Sequence, residues 1–155
     1  MMFRKAWEVA AEDVLVKAAE QADLFRDAAD YLAAHDHPRT AALCADIAAR
    51  RQALAAELQA GLRTSGIYPK TVDPEREALE RLFGTVKSAL SPDEADSLLS
   101  SRRNADQALR EALAAAREAE DMPEALTQIL ERFAASLAED DRRIDDFLSS
   151  RHETR

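Results

Sequence analysis

The chain has 155 residues, of which 46% are apolar, 33% charged and only 5% aromatic, enough apolar content to bury a core and too much for a disordered chain. Its net charge of −9 sets a surface that repels phosphate backbones and anionic lipid, so neither nucleic acid nor a membrane is an expected partner. The single cysteine, Cys44, leaves no intramolecular disulfide, which fits a reducing cytoplasm, and no stretch reaches the roughly 18–20 apolar residues of a membrane span.

The opening "MMFRKAWEVAAEDVLV" carries basic residues, but Glu8, Glu12 and Asp13 interrupt any apolar run, so no signal peptide is expected. Alanine, leucine, glutamate and arginine dominate, and no alternating Val/Ile/Thr run is present, so helices are expected and strands are not. The first helix is read over residues 3–34, with an apolar stripe of Trp7, Ala11, Val14, Ala18, Ala22, Phe25, Ala29 and Leu32. Trp7 either caps the core of its own chain or meets a second chain. "AHDHPR" (34–39) follows, where His35 and His37 raise the question of a metal site. A metal needs three or four converging ligands and this segment supplies too few. It reads instead as a joint: His35 closes one helix, Asp36 or His37 caps the next, and Pro38 opens it.

The second helix is read over 38–64, with Leu43, Ile47, Leu54 and Leu58 inward, Cys44 as a small core residue, and Gly66 as a left-handed terminator. A shorter helix over 74–90 and a longer one over 92–120 follow; "SPDE" (91–94) is a capping box for the latter, with Ser91 and Glu94 reciprocal. The last helix runs 123–150 behind Pro123, leaving residues 151–155 as a frayed tail on a single domain of 1–150. Four long helices with one stripe each call for an antiparallel four-helix bundle, with 74–90 in the connection between the second and third.

The segment "FRDAADYLAAHDHPRTAALCADIAARRQALAAELQAGLRTSG", together with "DQALREALAAA" and "DMPEALTQILERFAASLAEDDRRIDDF", resembles an uncharacterised bacterial ferritin-like four-helix-bundle family, distantly rubrerythrin-related and without assigned activity. The resemblance spans about residues 13–148. It implies a ferritin-like fold with a crossover helix, and it raises the matter of a di-iron site. Such a site takes Glu from two helices and Glu-x-x-His from the other two. No Glu-x-x-His occurs in this chain, and "ADIAARRQ" offers Ala and Arg where ligands would stand.

At about 100° per residue, the polar residues that break the inward stripes are Gln21, Arg50 (flanked by Arg51), Arg102 with Asp106 at its edge, and Asp141 with Asp140 beside it. Aligning the helices across their turns places all of these near mid-helix. Guanidinium groups cannot ligate a cation, so no metal, cofactor or catalytic residue is expected. The expectation is an internal network in which Arg102 pairs with Asp141, while Arg50 or Arg51 meets Gln21, Asp140 or Asp106. Two alternatives stand beside it: the arginines snorkel out to water, or Asp106, Asp140 and Asp141 form a degenerate metal site. The reading that follows is a cytoplasmic, non-enzymatic structural or interaction protein that self-associates, as a homodimer, or binds another protein. The alternative is an atypical di-metal carboxylate protein in iron or oxidative-stress handling.

Overall fold

The computed structural model describes residues 4–69 and 90–153. Among these the chain is all-α, with no strand. The described residues form five helices: α1 (Ala6–Ala34), α2 (Pro38–Thr64), α3 (Pro92–Ala105), α4 (Gln107–Glu118) and α5 (Glu124–Glu153). The helix expected over 74–90 falls outside the described residues, apart from Leu90, which is non-helical.

The two short joints are built alike. "HDHP" links α1 to α2 and "EDMP" links α4 to α5. In each, an aspartate two places before proline takes the left-handed conformation, Asp36 at φ 65° and Asp121 at φ 64°. Aspartate tolerates that region better than most side chains, and proline at the head of the next helix gives up an N–H that would have no helical partner. At the first joint the His37 N–H reaches back to the Leu32 carbonyl at 2.9 Å, closing α1 in a Schellman turn with Asp36 at its left-handed position. The two histidines serve the joint as well. His35 donates through Nδ1 to the Tyr31 carbonyl at 2.8 Å and stacks near the Tyr31 ring. His37 donates through Nε2 to the Leu90 carbonyl at 2.7 Å, tying the joint to the chain as it enters α3.

α2 ends in the same kind of turn, with Gly66 at φ 87° and the Ile67 N–H bonded to the Leu62 carbonyl at 2.8 Å. The N-cap of α3 is Ser91, whose hydroxyl accepts the Glu94 N–H at 3.1 Å. Two elements differ from the sequence reading. The stretch expected as one helix over 92–120 is broken at Asp106, whose N–H bonds to the Arg103 carbonyl, three residues back, at 3.1 Å. The last helix does not fray at 151 but continues to Glu153, because Arg151 is tethered to Asp96 at 3.0 Å and to the Thr40 hydroxyl at 3.2 Å.

The core has two apolar clusters. One gathers the start of α1 (Trp7 to Ala18), the end of α2 (Ala55 to Leu62), α4 (Leu109 to Ala116) and the start of α5 (Leu126 to Leu137). The other gathers the end of α1 (Phe25 to Leu32), the start of α2 (Ala41 to Ala48), Ala95 and Leu99 of α3, and Ile144 of α5. Trp7 is therefore part of its own chain's core. This distribution fixes the helix directions: α1 and α5 run one way, while α2 and the α3–α4 rod run the other. α1 packs against α2 and α4, and α5 packs against α2 and α4, so each rod is antiparallel to its neighbours. Ile67, just past α2, packs on the first cluster, and Leu90, just before α3, packs on the second. The chain thus leaves α2 at one end of the molecule and enters α3 at the other.

Candidate functional site: a buried arginine–carboxylate layer

Between the two apolar clusters each rod turns a polar residue inward. α1 supplies Gln21, α2 supplies Arg51, Asp106 stands at the α3–α4 break, and α5 supplies Asp140; all four are buried. Arg51 is only 1% exposed, and Asp106 and Asp140 are fully enclosed.

Arg51 grips Asp106 with both terminal nitrogens. Nη2 donates to Oδ2 at 2.8 Å, and Nη1 donates to Oδ1. Nη2 also reaches Asp140 Oδ2 at 3.4 Å, and Asp140 Oδ1 accepts from Arg50 Nη2. The guanidinium carbon of Arg51 stands over the Phe25 ring, 4.9 Å from its centre, the cation–π arrangement that suits a flat, weakly hydrated cation. A forked pair of this kind is the strong form of the ion pair, and it explains how three charges survive in an apolar interior. The break at Asp106 belongs to the same arrangement. Aspartate at a helix start would ordinarily cap it, but Asp106 has a helical backbone conformation, φ −66° and ψ −11°, and makes no cap to α4; its carboxylate is turned to Arg51 instead.

Burial nevertheless dominates the acid–base balance. Desolvation raises the Asp106 carboxyl above the usual carboxylate value, opposed by the hydrogen bond and charge of Arg51. Asp140 is likewise raised by burial, opposed by Arg51 and then Arg50. Cys44 lies in the second cluster, fully buried, and burial pushes its thiol up to about 12, with nearby Arg102 acting weakly in the other direction.

The structure brings together Gln21, Arg50, Arg51, Asp106 and Asp140 in one layer, but it does not place Arg102 or Asp141 there. The expected Arg102–Asp141 pair is absent. Asp141 is held by Arg110, at 2.6 and 2.7 Å, and Arg102 lies beside Cys44 with Nη2 3.3 Å from Ser101 Oγ. The reason is helix level. Counting straight across the α4–α5 joint set residue 120 beside 123, whereas Arg117 is in fact paired with Glu131 at 3.1 Å. α5 therefore overhangs the end of α4, and Asp141 slides down to Arg110. Arg102 is half-buried and Arg50 about a third exposed, so snorkelling describes their outer parts, while Arg51 does not reach water.

With both carboxylates engaged by guanidinium groups, the layer offers an entering cation no unoccupied pair of oxygens and presents it with like charge. Among the described residues no group of three or more His, Cys, Asp and Glu is arranged to hold a metal ion, Asp106, Asp140 and Asp141 included. No described helix is long and apolar enough to cross a membrane. Comparison of the chain with protein-family models, with curated proteins and with solved structures finds no match.

Proposed function

We propose that this chain is a ferritin-like four-helix bundle whose central layer is filled by its own arginine, and that it acts without catalysis as a cytoplasmic structural or interaction protein that self-associates. The observation that carries this reading is the position of Arg51: a fully buried guanidinium between two buried carboxylates, at the level where that fold would otherwise place metal ligands. The ferritin-like assignment is further supported by the helix directions. The second and third rods run parallel and are joined from opposite ends of the molecule, as a long crossover connection requires.

The test is the iron content of untagged protein before and after anaerobic incubation with ferrous salt. Background iron in both samples is the expected result. Iron approaching one or two atoms per chain, and lost in an Asp140→Asn variant that still folds, would overturn the proposal in favour of a di-metal carboxylate protein. Sedimentation equilibrium of the same sample addresses self-association: a mass of two chains is expected, and a single-chain mass at every concentration removes that part of the reading.

A further inference from the structure

We infer that the centre of the bundle is a guanidinium-binding site, occupied in the native chain by the tethered head group of Arg51, and that shortening this side chain opens the site to free guanidinium. The inference rests on the reading that Arg51, not a metal, fills the layer. Each wall of the site is matched to that cation. Asp106 presents both oxygens to the forked donors, Asp140 presents one from another helix, and Phe25 offers a ring face 4.9 Å away. Asp140 is also held by Arg50, so it keeps an anchor when Arg51 is cut back, whereas the Asp106 carboxylate, bonded to Arg51 alone, is left open to a replacement cation.

A further side chain points to a ligand here. Gln21 is 5% exposed, and its Oε1, buried, has no hydrogen-bond partner among the described residues. It stands one turn before Phe25 on the inward face of α1. Arg51 approaches from α2 on a fixed stem and spends its terminal donors on the two aspartates. Free guanidinium has one more N–H than the arginine head group and no stem, so it can keep both aspartates with a donor to spare.

The experiment is a series of thermal melts of Arg51→Ala in rising guanidinium chloride, kept below denaturing concentration, with sodium chloride and urea as matched controls. A ligand that binds only the folded state raises the melting temperature by a near-constant step for each tenfold increase above its dissociation constant. That rise is expected for Arg51→Ala with guanidinium alone. It is not expected for the wild type, nor for Arg51→Met, whose side chain fills the space with apolar atoms. No rise in Arg51→Ala, or an equal rise with sodium chloride or in Arg51→Met, overturns the inference. Should Arg51→Ala be unfolded alone, circular dichroism during the same titration takes over: helix induced by guanidinium supports the site, and none overturns it. Iron uptake by the wild type would instead sink the reading beneath it, so the two failures are told apart.

Discussion

At the scale of single residues, Arg51 has the largest consequences. Removing one member of a buried ion pair leaves the others charged in an apolar interior, which costs about 3–5 kcal/mol. Arg51→Ala is therefore expected to lose stability in that range in urea unfolding. Replacing the set together (Arg51→Met with Asp106→Leu and Asp140→Leu) is expected to recover most of it, since apolar groups of similar volume often match a buried ion pair. A triple variant no better than the single one would show that the layer stabilises beyond its charges. The two aspartates also predict a pH response. Their carboxyls are raised in the folded state, chiefly by burial, so the folded protein binds protons more tightly than the unfolded chain. Lowering the pH from neutral towards the ordinary carboxylate value of 3.8 then adds stability through these two groups, and raising it through their folded values takes it away. The gap in unfolding free energy between wild type and Asp140→Asn should widen in favour of the wild type as pH falls from 7; a narrowing gap would reverse the assignment. Of the residues read as breaking the stripes, Gln21 is the buried one; on the other rods the buried position is the flanking or edge residue, Arg51, Asp106 and Asp140, because a step of one residue turns a helix by about 100°. The Arg110–Asp141 pair was not legible, because one joint's overhang shifts every level beyond it.

At the scale of elements, both hairpin joints depend on one aspartate in the left-handed region. A non-glycine residue there costs roughly 1–2 kcal/mol, so Asp121→Gly is expected to raise the melting temperature and Asp121→Val to lower it. Gly61 carries the opposite demand. A Cβ at this position would stand 2.7 Å from Leu126 Cδ2 and 3.2 Å from Ile129 Cδ1. Gly61→Val should cost about 1–3 kcal/mol by overpacking the α2–α5 contact, measured by chemical denaturation; an unchanged midpoint would mean that α5 yields freely. Among the described helices α3 is the most lightly held. It buries only Ala95 and Leu99 over 14 residues, whereas α4 buries four over 12. Its amides should exchange with solvent faster than those of α4, by native-state hydrogen exchange. The sequence marked the Ser91 cap, the prolines and Gly66, because each acts within one turn of chain; the side-chain cap expected at the start of α2 is not made, since His37 stands there and its ring bonds the Leu90 carbonyl instead. The sequence did not mark the break at Asp106, whose side chain is paired with an arginine 55 positions away.

At the scale of the whole molecule, the paired clusters place the end of α2 and the start of α3 at opposite ends, separated by about the length of a 27-residue helix, roughly 40 Å at 1.5 Å per residue. Spin labels on cysteines introduced at Ser65 and Ser91 should report a distance of that order, with the buried native thiol of Cys44 left unlabelled; a short distance would mean that the second hairpin is inverted. An all-α chain with four long rods was readable from composition and stripe alone, since those signals are local and repeat along each helix. Which rod neighbours which was not, because that depends on where stripes meet in space.

The mid-level ion layer also acts as a mechanical detent. Apolar stripes of alanine and leucine are nearly uniform along a helix, so one rod can slide past another with little change in contact. One turn of slip moves a rod by about 5.4 Å, which would draw Arg51 away from Asp106 and leave charge facing hydrocarbon. Only the native notch brings Arg51 to both Asp106 and Asp140 at once, and the layer thereby selects one vertical alignment from several that the oily faces alone would accept.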